Sequence, residues 1–127
     1  MAINGAQDLT YTGPVSNVGG SHTLSINNTA LTTFAGTSFT LTSPNATATL
    51  TLNIPASSGG TVIRNPIQNA GGKSVGTLVK TGAGNLVLAG TAANTFSGGL
   101  ILNNGTITAG KPVAPDATSQ DDTTPRR

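Results

Sequence analysis

The side chains that could act on a substrate are few, and they are far apart in the chain. His22 is the single histidine, and no cysteine or glutamate occurs in the 127 residues. Ser21, His22 and Asp8 could formally make a nucleophile, a base and an acid. A serine and histidine adjacent in a glycine-rich turn have no frame to hold an oxyanion, so His22 reads more plainly as an exposed loop histidine. A metal would find no thiolate or glutamate to complete a ligand set around it. The other acids, Asp116, Asp121 and Asp122, sit near the C-terminus, so the body cannot assemble the paired carboxylates of general acid–base chemistry. Gly82-Ala83-Gly84 is not a phosphate-cradling loop, because no helix follows and no Lys-Ser/Thr closes it. Lys80, just before that turn, reads as a solvated corner charge. These readings give a non-enzyme with no cofactor and no metal.

Two patterns point to binding instead. Thr-x-Thr recurs at Thr10-Tyr11-Thr12, Thr40-Leu41-Thr42, Thr47-Ala48-Thr49-Leu50-Thr51 and Thr106-Ile107-Thr108. Stacked in register on one flat face, such rows would resemble an ice-binding surface, but their spacing is irregular. Tyr11 is the one aromatic suited to stack on a sugar. Net charge is only +2, with no Lys/Arg stripe, and Arg126 and Arg127 are the last two residues, so no nucleic-acid footprint is present. No run approaches the roughly 20 apolar residues of a membrane helix, so no membrane insertion is expected. Met1-Ala2-Ile3-Asn4-Gly5 lacks the basic and apolar regions of a signal peptide. The chain is therefore expected either to act where it is made or to be a piece of a longer exported protein.

The elements that must position these groups are strands. Apolar and hydroxyl residues alternate through Thr23–Ile26, Ser38–Thr42 and Thr47–Ile54, which sends one set to each face. Shorter pulses follow at Thr61-Val62-Ile63, Thr77-Leu78-Val79, Leu86-Val87-Leu88, Leu100-Ile101-Leu102 and Thr106-Ile107-Thr108. Between them lie turn residues such as Ser43-Pro44-Asn45, Gly71-Gly72, Gly98-Gly99 and Asn104-Gly105. Helical periodicity is missing. Charged residues make up 8% of the chain and aromatics 3%, with three Phe and no Trp. A two-sheet sandwich would be poorly filled by that set, whereas the narrow interior of a β-solenoid needs only small aliphatics. The expectation is an all-β right-handed parallel β-helix of about four to five coils over residues 1–110. Lys111–Pro115 carries two prolines, and Thr118–Arg127 has no apolar residue, so 111–127 is expected to be a disordered tail or linker.

One segment carries a family resemblance. It reads Lys80-Thr81-Gly82-Ala83-Gly84, Leu86-Val87-Leu88, Ala89-Gly90, Ala93-Asn94-Thr95-Phe96-Ser97-Gly98-Gly99, Leu100-Ile101-Leu102 and Asn103-Asn104-Gly105-Thr106-Ile107. Residues 77–110 thus resemble the autotransporter-associated β-strand repeat, also called the passenger-associated transport repeat, and residues 50–76 look like the lead-in to such a repeat. The resemblance implies a parallel β-helix in a surface-exposed or secreted bacterial protein, acting as a structural scaffold that supports adhesion or secretion. The family's C-terminal translocator barrel is not in this sequence. The partners implied are neighbouring coils, other copies of the chain, or a host surface or glycan. A self-assembling filament subunit and a glycan-binding module are the alternative readings. Within the repeat, Gly82 and Gly84 are expected to allow a reversal with positive φ. Leu86 and Leu88 should stack on Leu78 or on Leu100 and Leu102, Asn94 should cap a corner, and Phe96 should be buried near one.

Overall fold

In the computed structural model, residues 1–110 are described, and they form a parallel β-solenoid. The first coil contributes β1 (Ala2–Ile3), β2 (Leu9–Tyr11) and β3 (Val15–Ser16). The second contributes β4 (His22–Ile26), β5 (Thr32–Phe34) and β6 (Phe39–Thr40). The third contributes β7 (Thr47–Asn53), β8 (Thr61–Ile63) and β9 (Ile67–Gln68). The fourth adds β10 (Val75–Thr81) and β11 (Asn85–Leu88), and the fifth adds β12 (Leu100–Leu102) and β13 (Thr106–Ala109). Like strands stack into three sheets, in the orders β1-β4-β7-β10-β12, β2-β5-β8-β11-β13 and β3-β6-β9. Every pairing is parallel, and residues 1–60 continue the solenoid instead of forming a separate cap. The expected tail lies outside the described residues.

The coils are unequal. Stacked partners are separated by as few residues as Asn85 and Thr106, or as many as Thr32 and Thr61. The alternation read from Thr47–Ile54 is what β7 uses: Ala48, Leu50, Leu52 and Ile54 point inward and are buried. Stacking converts that alternation into columns. Leu24, Leu52, Lys80 and Leu102 form one, and Leu50, Leu78 and Leu100 another. Across the shaft run Thr32, Thr61, Leu86 and Ile107, then Phe34, Ile63, Leu88 and Ala109. The apolar members other than Ala109 belong to, or in the case of Leu102 pack against, a single cluster that includes Phe39, Ile67 and Phe96. Phe34 and Phe39 meet edge to face at 5.5 Å.

Leu86 and Leu88 therefore do not stack on Leu78, Leu100 or Leu102. Their partners are Thr61 and Ile63 on one side and Ile107 and Ala109 on the other. The turn at 82–84 carries the chain from the first sheet to the second, so β10 and β11 are neighbours in sequence but not in a ladder. Only Gly82 of that turn has positive φ, at 78°. Gly84 is needed for close approach instead, since a Cβ there would lie 2.6 Å from the Pro55 carbonyl oxygen.

The third sheet continues past β9 without a fourth strand. Thr95 N donates to the Ile67 carbonyl at 2.8 Å, and Ile67 N donates to Asn94 Oδ1 at 2.9 Å. A side-chain amide stands in for the main-chain acceptor that a strand would have supplied.

Candidate functional site

Of the formal triad, Ser21 and His22 are chain neighbours and Asp8 lies elsewhere, and each of the three holds its own structural bond. His22 opens β4 with its side chain exposed, and its Nδ1 bonds Asn17 Oδ1 at 2.5 Å. Ser21 Oγ accepts from Thr49 N at 2.9 Å. Asp8 lies at a different corner, ahead of β2, and accepts from Leu31 N at 3.1 Å. Among the described residues, no three His, Cys, Asp or Glu side chains group as a metal site, and no helix is long and apolar enough to cross a membrane.

The threonine rows do not make a face either. On the first sheet, Thr47, Thr49 and Thr51 lie over Val75, Thr77 and Val79. On the second, Thr10 and Thr33 are followed by Val62 and Val87 before Thr108. Outward positions alternate in kind because nothing beyond solvent constrains them. Tyr11 is 47% exposed on the edge strand β2, with its ring edge against Phe34 at 6.3 Å. It belongs to the first coil, where Leu9 and Val18 are also exposed. At the other end, Leu100, Ile107 and Phe96 are buried.

Lys80 is the main correction to the sequence reading. It is not a solvated corner charge but is fully buried. Period-two alternation along β10 puts Gly76, Leu78 and Lys80 inward, and Lys80 takes a place in a column of leucines. Its stem fills that column, and its ammonium emerges at the corner between the first two sheets. There Nζ donates to the carbonyls of Thr81 at 3.1 Å, Gly82 at 2.7 Å and Asn104 at 3.0 Å. Burial holds its pKa below the usual ammonium value of 10.5. The one carboxylate among the described residues, Asp8, is on the first coil. Among the described residues, the charge is therefore met by backbone carbonyls.

The remaining motif residues build corners around this point. Gly105 has φ +80°, and a Cβ there would lie 2.6 Å from Lys80 Nζ and 2.5 Å from the Gly84 carbonyl. Asn104 Oδ1 accepts from Gly105 N at 2.8 Å. Thr81 Oγ1 bonds Asn53 Oδ1 at 3.3 Å, one coil away. Gly90 and Gly99 also take positive φ at bends. Gly98 lies against β10, donating its N–H to the Gly76 carbonyl at 2.7 Å.

Sequence reading identified one corner amide, Asn94, and missed several others. Asn65 accepts from Gly36 N at 2.9 Å and donates to the Ser38 carbonyl at 2.8 Å. Asn69 Oδ1 accepts from Gly76 N at 2.8 Å, and its Nδ2 donates to Ser97 Oγ at 2.7 Å. Asn17 Nδ2 donates to the Leu41 carbonyl at 2.9 Å, and Asn28 Nδ2 to the Gln7 carbonyl at the same distance. Asn17, Asn28, Asn65 and Asn94 are all buried. Each crosses from one coil to the next and satisfies main-chain groups where the sheets bend. The arrangement fastens coils to one another; it holds no nucleophile beside a base and no donor set for a metal.

Residues 78–109 match the family model described as the passenger-associated-transport-repeat. No curated protein and no solved structure matches the chain.

Proposed function

From the passenger-associated transport repeat at residues 78–109 and the continuous shaft that contains it, we propose that this chain is a non-catalytic scaffold segment of a surface-exposed or secreted passenger. The observation that carries the reading is cross-coil fastening. Polar side chains of the body are spent on bonds between coils, to main-chain groups from Lys80, Asn65 and Asn94 and to the Ser97 hydroxyl from Asn69. A parallel stack of this kind is stiff because each coil contacts only its neighbours, through backbone ladders and a shared apolar column. Its use is to space or present whatever the passenger carries.

The test is display. Residues 1–110 would be inserted between an export signal and an outer-membrane translocator, beside a version with residues 78–109 shuffled. Protease-accessible surface display of the native segment, lost on shuffling, is the expected outcome. Equal display of both would overturn the reading.

The exposed edge of the first coil favours a second reading, assembly through that edge. On β1, β2 and β3, every second residue turns its N–H and C=O away from the second coil, and the apolar side chains beside them are uncovered. Light scattering with negative-stain imaging decides it: concentration-dependent oligomers or filaments support assembly, and a monomer at all concentrations rejects it.

A further inference from the structure

An ammonium in a column of leucines is a costly choice for a shaft. Leu24 and Leu52 precede Lys80 in that column and Leu102 follows it, so an aliphatic side chain fits the place. A buried charge with no counter-charge among the described residues loses its water, and burial does lower the pKa of this one. What the lysine gives in return is a single place where the next coil can sit. Two turns converge on its Nζ: the turn at 82–84, through the Thr81 and Gly82 carbonyls, and the turn between β12 and β13, through the Asn104 carbonyl. Gly105 leaves room for the head group, since a Cβ there would meet Nζ at 2.6 Å.

The aliphatic ladder of β12 separates registers only in part. β12 reads Leu100-Ile101-Leu102, and the two-residue slip that sets Asn103 over Val79 keeps inward over inward and one leucine pair, Leu102 over Leu78, while Leu100 moves onto Gly76 and Asn104 onto Lys80. Such a slip carries the Asn104 carbonyl about two strand steps, roughly 7 Å, from the ammonium. It also sets a residue with a Cβ against Nζ in place of Gly105.

We propose that Lys80 is a register pin: its buried ammonium captures the Asn104 carbonyl and thereby fixes how the fifth coil seats on the fourth. Lys80 is a positioning residue, and its partner is the 103–105 turn of this same chain. The inference rests on the fold and not on the scaffold reading above, so the two can fail separately.

The chain has no cysteine, which makes cross-linking a clean test. Val79 and Ile101 are Cα partners in register, and both point outward. Val79→Cys with Ile101→Cys reports the native register, because facing residues of adjacent strands fall within disulfide reach. Val79→Cys with Asn103→Cys reports the slipped one. With Lys80 present, only the first pair should close. With Lys80→Met, and separately with Lys80→Leu, the slipped 79–103 product should rise at least about tenfold, which corresponds to a 1.4 kcal/mol change in register preference. Far-UV circular dichroism must show the β signal kept in the variant. The proposal is overturned if both variants cross-link as the parent does. It is equally overturned if both lose the fold altogether, since Lys80 would then be a stability residue and not a register device.

Discussion

Replacing Phe96 by alanine tests whether the repeat's one aromatic is a true core residue. Its ring has no exposed surface and joins the single apolar cluster of the shaft. The cost of such a truncation depends on how far the surroundings collapse into the space left behind. Here collapse is resisted on both sides in sequence. Thr95 N is held by the Ile67 carbonyl at 2.8 Å, and Gly98 N by the Gly76 carbonyl at 2.7 Å. Asn94 is tied to Ile67 N at 2.9 Å. A backbone fixed at these points leaves most of the cavity open, so the loss should fall in the upper part of the roughly 3–5 kcal/mol range for Phe→Ala. Against a total stability of about 5–15 kcal/mol for a domain, that is a large fraction. With a urea slope of about 2 kcal/mol per molar, the unfolding midpoint should drop by about 2 M, followed by far-UV circular dichroism. A shift worth less than about 1 kcal/mol would mean that the loop at 94–98 closes over the gap, and the argument from its fixed backbone would be wrong.

Three further outcomes follow from individual atoms. Thr61 is buried between Thr32 and Leu86, and its Oγ1 has no hydrogen-bond partner among the described residues. Thr61→Val keeps the shape and removes an unpaired hydroxyl, so it should stabilise by about 1 kcal/mol, and a lower thermal midpoint would contradict this. Asn94→Ala removes the acceptor of Ile67 N and should cost about 1–3 kcal/mol in a urea melt, with a neutral result showing that the amide hydrogen finds another partner. The direction of the Lys80 shift fixes a sign with pH. In the folded chain the ammonium loses its proton below 10.5, the ordinary value, so the unfolded state binds more protons in the window between the two values. Stability referred to this group should rise through that window, be complete above 10.5, and be lost as pH falls through the folded value. The difference in unfolding free energy between the parent and Lys80→Met, measured from pH 8 to 11, isolates it; a difference that moves the other way would reject desolvation as the dominant effect.

Where alternation was strict, the sequence was legible. Thr47–Ile54 names its own inward set, and Ala48, Leu50, Leu52 and Ile54 are the buried residues. The poverty in aromatics pointed to a narrow shaft, since three phenylalanines could not fill a sandwich. Lys80 reads as a surface residue by its charge and as an inward residue by its phase, and the phase decides. Counting by twos from Leu78 puts it inside, and only a charge without a visible partner argued otherwise. Leu86 and Leu88 read as partners of Leu78, Leu100 and Leu102 only if sequence neighbours are ladder neighbours, whereas a solenoid pairs each strand with one a full coil away. The corner asparagines were hidden for a related reason. Asn17, Asn28, Asn65 and Asn69 look like ordinary turn residues, and what distinguishes them is an acceptor or donor on another coil. Because the coils differ in length, no fixed period marks those partners.

The same residues explain how a chain of near-equivalent aliphatic steps reaches one structure. Inward over inward is kept by any in-phase stacking, so burial sets the fold class and constrains register less tightly. Groups with direction must close that choice. An amide or an ammonium inside the shaft has few places where its hydrogens find oxygen, and a slipped coil leaves them without partners in a setting where that is expensive. Lys80 and the corner asparagines are then what makes a repetitive interior specific. The predicted rise of stability with pH and the inference that Lys80 fixes register are two sides of one argument: a charge that is costly to bury is kept where it ties one coil to the next.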